Sequence, residues 1–262
     1  MFSSCKGYQK LLKSTDSELK FEKALEYYKK DDFVRASTLL EQIMYVYKGT
    51  DKDEQINFLR AKSYYGLRNY IEAGYYFKNF ASSFPKSKNI EEAEFLHAHC
   101  YYIISPEASL DQANTHNAIN AFQLFIVKYP NNFRIKECYA LIDELMNKLV
   151  HKSYINAKLY FDLSEYKSSI IALRNSLNEF PDTQYREELM FLLLKSNYLL
   201  ADNSVVAKRI ERFQNTVDEY YFFIGEFPES KYIKDAEKIY NSSIKVLNSQ
   251  KLNQITKINN GL

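Results

Sequence analysis

Apolar side chains recur along this chain at helical spacing. Phe21, Ala24, Tyr27 and Tyr28 are separated by 3, 3 and 1 residues, so the Phe, the Ala and the first Tyr share one stripe of a helix. The same stripe returns as Phe58, Ala61, Tyr64, Tyr65 and as Phe95, Ala98, Tyr101, Tyr102, 37 residues later each time. A second stripe follows the first two copies: Phe33, Ala36, Leu40 and Ile43, then Tyr70, Ala73, Phe77 and Phe80. The two Ala of each pair stand 12 residues apart (24 to 36, 61 to 73), which predicts two helices, A and B, joined by a short turn. Self-similarity at a period of 20–50 residues predicts a stacked array of such hairpins.

With a small residue and Tyr in helix A, small and bulky residues in helix B, and a closing Pro, the layout resembles the tetratricopeptide repeat (TPR). The fold expected is all-α: a TPR superhelix of about five helix-turn-helix repeats with a C-terminal capping helix. Four units end in an aromatic-Pro pair, at Phe84-Pro85, Tyr129-Pro130, Phe180-Pro181 and Phe227-Pro228. Pro stops helix B, and the Ser, Thr, Asp or Asn that follows is expected to cap the next helix A. Residues 1–16 read as a terminal stub and polar tether. Repeats 1–3 occupy 17–133, repeats 4 and 5 with the cap occupy 134–248, and 249–262 read as a mobile tail. Repeat 3 carries eight extra residues around Pro106, and repeat 5 carries an insertion at Ala201–Ser204. The stretch from Ile135 to Phe161 holds no Gly or Pro and predicts one or two long helices.

Composition narrows the chemistry. Six Gly and five Pro among 262 residues favour helix, and 23 Tyr and 18 Phe stand against no Trp. A net charge of +2, from 35 basic and 33 acidic residues, gives no case for nucleic acid. No apolar run reaches the 18 residues of a spanning helix. Cys5, Cys100 and Cys138 make no disulfide framework. His97 and His99 point to different sides of a helix, His116 and His151 stand alone, and the scattered glycines form no phosphate loop, so no enzyme, metal site or cofactor is expected.

In a TPR array helix A lines the concave surface. Phe21, Phe58, Phe95 and Tyr154 stand at its fifth position, and Tyr28, Tyr65, Tyr102 and Phe161 at its twelfth. Lys62, His99 and Lys158 lie between them at the ninth, while repeat 5 departs from the rule with Leu192 and Leu199. These aromatics form a candidate peptide-binding groove; the competing reading is that the Phe set packs between helices. Lys208, Arg209 and Arg212 form a small basic patch that is a partner contact or a solvated face.

Met1-Phe2-Ser3-Ser4-Cys5 reads as the stub of a lipobox, with Cys5 as the lipidated residue, or as a free thiol near a frayed terminus. Cys5, five repeats, and the shared joints Pro181-Asp182-Thr183-Gln184-Tyr185 and Pro228-Glu229-Ser230-Lys231-Tyr232 together resemble the BamD (YfiO/ComL) family. The resemblance implies a lipid-anchored protein on the periplasmic face of the cell outer membrane. It implies binding to the POTRA modules of a BamA-like insertase, company of other BAM lipoproteins, and recognition of unfolded outer-membrane β-barrel proteins. The family's arginine contact in helix B of repeat 4 falls at Ala172 here, with Arg174 nearby. The alternative is another envelope TPR lipoprotein that scaffolds the cell wall or division.

Overall fold

The computed structural model describes the backbone of residues 3–259 and the side chains of 7–249. Among these residues there are twelve α-helices and no strand. A short helix α1 (Ser3–Leu12) precedes three hairpins: α2 (Ser17–Lys29) with α3 (Phe33–Ile43), α4 (Asp51–Gly66) with α5 (Tyr70–Ser83), and α6 (Ile90–Ile103) with α7 (Ala113–Lys128). Two more follow: α8 (Ile135–Asp162) with α9 (Tyr166–Glu179), and α10 (Arg186–Asp202) with α11 (Val206–Glu226). The last helix is α12 (Ile233–Asn259). The chain divides into two compact units, Met1–Leu149 and Val150–Leu262, and the division falls inside α8.

The A-to-B turn is the same in repeats 1, 2 and 4. Asp31, Arg68 and Ser164 all have positive φ, near 60°. The next amide donates five residues back: Asp32 N–H to Tyr27 O, Asn69 to Tyr64 O, and Glu165 to Tyr160 O. This is a Schellman closure built on non-glycine residues, which favour the left-handed region poorly. It fixes the 12-residue spacing that the sequence displays.

The joint from B to the next A is also shared. The residue two beyond each Pro, namely Ser87, Asn132, Thr183 or Ser230, donates its amide to the aromatic before the Pro. Its side-chain oxygen accepts the amide two residues on, at 2.9, 2.8, 3.2 and 3.0 Å respectively. The sequence reading has these residues capping helix A; they close the turn before it instead, and the caps Asn89 and Tyr185 make no side-chain cap bond. Three of the four also donate to a glutamate in the first turn of the preceding helix A: Ser87 to Glu54, Asn132 to Glu91 and Ser230 to Glu187.

In the first unit, Phe21, Ala24, Leu39, Leu40, Ile43 and Ile56 form one core cluster. A larger one gathers Phe58, Phe77, Phe80, Phe95, Phe122 and Phe125 around Ala61, Ala73, Ala98 and Ala118. The four alanines are fully buried, as close approach of helices requires. In the second unit, Ala157, Leu173, Leu189, Leu192 and Leu193 pack together. Phe191, Leu194, Tyr220, Phe223, Ala236 and Ile239 form the neighbouring cluster.

Several expectations change. The stretch 6–16 is not all tether: it is helical through Leu12, with Tyr8, Leu11 and Leu12 packed against the first core cluster. Lys20, 8% exposed, donates from Nζ to Leu12 O and closes the end of α1. In the repeat 5 insertion, Ala201 and Asp202 end α10 and Asn203–Val205 make the turn into α11. Helix α12 runs to Asn259, through most of the expected tail. The 135–161 stretch lies within one helix of 28 residues, Ile135–Asp162.

Candidate functional site

In the first unit the twelfth-position tyrosines lie on the A-helix face, half-buried. Tyr65 Oη is 2.8 Å from His99 Nδ1. The His99 ring stacks on Phe95 at 5.8 Å and meets Tyr102 at 5.6 Å, and Tyr102 Oη donates to Glu144 at 2.8 Å. The Arg134 guanidinium sits over Phe95, 4.2 Å from the ring centroid. Tyr28 packs edge-on to Phe33 at 5.6 Å. Lys62 Nζ pairs with Glu92 at 2.5 Å. These contacts join α4, α6 and α8 along one face, while Tyr28 ties α2 to α3.

Partial burial sets the electrostatics. It raises the Tyr65 phenol to about 12, with Cys100 and Tyr70 adding to the effect. Burial also raises Tyr28, and the charge of Glu92, two repeats away, adds to it. His99 is lowered by burial, partly offset by Glu137 and reinforced by Arg134. The site therefore offers neutral rings with hydroxyl and imidazole edges, beside one guanidinium and several carboxylates. Such rings can stack with other aromatic groups, and their edges can donate and accept hydrogen bonds. It holds no activated nucleophile: burial raises the Cys100 and Cys138 thiols to about 12 and about 11, far from thiolate. Among the described residues no His, Cys, Asp and Glu side chains converge on a metal site, and no helix is long and apolar enough to cross a membrane.

The Phe set does not belong to the groove. Phe21, Phe58 and Phe95 are buried at 5, 9 and 2% exposure. An aromatic three residues before the closely packed Ala shares its stripe and must face the neighbouring helices. Phe58 packs on Phe77 and Phe80, and Phe95 on Phe122 and Phe125.

The second unit repeats the ring arrangement. Tyr154 stacks on Tyr185 at 4.1 Å, and His151 Nδ1 is 3.0 Å from Tyr185 Oη. Tyr154 Oη and Lys158 Nζ both reach Glu188, at 3.0 and 3.2 Å. Phe161 is half-buried beside Tyr166, with Lys195 over its ring. Repeat 5 keeps the rule after all. Phe191 stacks on Tyr232 at 4.4 Å, as Tyr154 does on Tyr185, and Phe191 lies 37 residues after Tyr154. The register is then Phe191, Leu194 and Tyr198, one residue earlier than Leu192 and Leu199; Leu194 is fully buried in the Ala place.

Of the basic patch, Lys208 is exposed. Arg209 pairs with Asp202 at 2.9 Å and lies over Phe213, while Arg212 donates to Ser204. Two of its three cations thus brace the α10–α11 corner. The Cys5 side chain lies outside the described residues. The reading of the groove named His99 but missed Arg134, Glu144 and Tyr185. The signal for Tyr185 was the joint motif: the residue four beyond Pro covers the fifth-position ring of the preceding helix A, as Arg134, Tyr185 and Tyr232 do.

Paired helices, a 12-residue offset with a shared Schellman turn in repeats 1, 2 and 4, and a 37-residue ring register define a tetratricopeptide-repeat protein. The family model described as YfiO, outer membrane lipoprotein, matches residues 13–213, and the chain belongs to that family. The chain is also similar to solved structures. One is the TPR2AB domain of yeast Sti1 in a pHSP90 complex, at 12% identity over 87% of this chain and 98% of that one, with a TM-score of 0.40. Another is a tetratricopeptide repeat protein from Parabacteroides merdae, at 13% identity over 87% and 99%, with a TM-score of 0.37. No curated protein gives a significant match.

Proposed function

We propose that this chain is a non-enzymatic adaptor of outer-membrane β-barrel assembly, anchored at the periplasmic face of the outer membrane by lipid on Cys5. In this reading it binds a BamA-like insertase through its POTRA region, works beside other BAM lipoproteins, and helps to recognise unfolded β-barrel proteins. The family supports the assembly role. The observation that carries peptide recognition is the row Tyr28, Tyr65, His99 and Tyr102. Its rings are half-buried; the Tyr65 hydroxyl is held by His99, the Tyr102 hydroxyl by Glu144 and the Tyr28 ring by Phe33, so much of the surface is ordered before a ligand arrives. A preordered aromatic surface loses less entropy on binding than a mobile one.

The test is binding of a synthetic peptide with the aromatic-ended C-terminus of a barrel protein, followed by fluorescence anisotropy. Replacing Tyr28, Tyr65 and Tyr102 together by Ala is expected to weaken binding by about tenfold or more, since anchor residues at interfaces each contribute on the order of 1–2 kcal/mol. Unchanged affinity in a folded triple variant contradicts this reading of the groove.

A further inference from the structure

The first unit holds a cleft that the adaptor reading does not use. It lies where α1 meets α2 and α3, measures about 730 Å³, and is lined by Tyr8, Lys10, Lys23, Tyr27, Lys30 and Arg35, together with two acids, Glu26 and Asp32. Both acids are already taken. Glu26 pairs with Lys23 at 2.8 Å, and Asp32 pairs with Arg35 at 3.1 Å. Arg35 is held further between two rings, 5.2 Å from the Tyr8 centroid and 5.3 Å from that of Tyr27. Lys10 and Lys30 are exposed and, among the described residues, enter no ion pair. Four cations against two anions leave the cleft with a surplus of two positive charges. The cleft of about 470 Å³ in the second unit is different, because its Arg174 and Arg186 are matched by Glu219 and Glu226.

The position of the surplus matters. Helix α1 carries both Cys5 and Lys10, and at 1.5 Å per residue Lys10 lies about 7–8 Å along the axis from Cys5. With Cys5 lipidated as proposed above, cations this close to it would lie beside lipid headgroups. The aromatic walls suit the interfacial zone, where Tyr places its ring in apolar surroundings and its hydroxyl in water.

We propose that this cleft binds the phosphate of an anionic phospholipid headgroup, with Lys10 and Lys30 as the direct cationic contacts and Arg35 as a fixed wall. The placement rests on the proposed acylation of Cys5, but the binding itself does not depend on the acyl chains or on the adaptor role. Membrane-proximal basic residues act additively and are screened by salt.

The test uses the full chain with Cys5→Ser, so that no acyl anchor contributes. Flotation with vesicles of phosphatidylcholine alone is compared with vesicles that also contain phosphatidylglycerol. The chain is expected to float with the anionic vesicles only. Lys10→Glu with Lys30→Glu is expected to weaken that binding by about tenfold or more, while Lys86→Glu with Lys88→Glu, the same change of charge at exposed positions of the same unit, leaves most of it. Circular dichroism checks folding, and a Lys10→Gln, Lys30→Gln pair replaces the reversal if the latter unfolds. Equal loss in both pairs, or no preference for anionic vesicles, overturns the proposal. So does binding of inorganic phosphate at the cleft with no vesicle binding, which would assign a soluble anion.

Discussion

At the residue scale, what separates two sets of aromatics is their position relative to one alanine. Phe95 precedes Ala98 by three residues and is buried; Tyr102 follows it by four and keeps its hydroxyl on the surface. Truncation should separate them cleanly. Phe95→Ala is expected to cost about 3–5 kcal/mol of stability, as for other buried Phe side chains, and Tyr28→Ala on the order of 1 kcal/mol, both read from urea unfolding. His99 gives a pH dependence. Burial holds its folded pKa below the usual value of about 6.5, and His97, lowered by burial against its bond to Gly74 O, behaves alike. Above that value both states are neutral and these groups contribute nothing. As pH falls below it, the unfolded chain takes up the proton first, so stability is expected to decline until the folded pKa is passed. The urea midpoint between pH 7 and 5 reports this, and replacing both histidines should flatten the decline.

At the element scale, the turns carry the repeat. Arg68 sits at φ 59° in the left-handed region that a non-glycine residue enters at a cost of about 1–2 kcal/mol. Arg68→Gly is therefore expected to stabilise by about 0.5–1 kcal/mol, after the greater freedom that glycine adds to the unfolded chain is subtracted. Gly66, at the end of the same helix, is the opposite case. A Cβ there would meet three atoms of the Phe33 ring at 2.4–2.7 Å, so Gly66→Ala should displace that ring and lower the melting temperature. The hairpins were legible because the 12-residue offset between small residues is written in the chain. Helix α1 was harder to see. Its apolar stripe of Tyr8, Leu11 and Leu12 is only five residues long and lies among lysines, and its stability comes from packing on repeat 1, which local pattern does not encode. The repeat 5 register is hard to read in the sequence because three consecutive leucines, 192 to 194, with 199 and 200 beyond, blur the stripe, and the Tyr232 stack fixes it.

At the scale of the whole molecule, the chain is a run of hairpins in which many polar side chains hold neighbouring helices together. Ties between successive A helices recur at separations near one repeat: Lys62 with Glu92, Tyr65 with His99, Tyr154 with Glu188. The fold and the family were both visible in the sequence, because the array advertises itself through period and joint. The site was visible only in part. A one-dimensional pattern names the position of each ring but not which partner covers it, so Arg134 over Phe95 and Tyr185 over Tyr154 emerge only in three dimensions. The central claim is that this surface serves an outer-membrane assembly complex. The measurement that tests it most directly is isolation of the native membrane complex through a C-terminal tag, with its partners identified by mass spectrometry. A barrel protein with POTRA modules in stoichiometric amount is the result expected; wall or division proteins in its place would contradict the claim and leave the repeat fold standing.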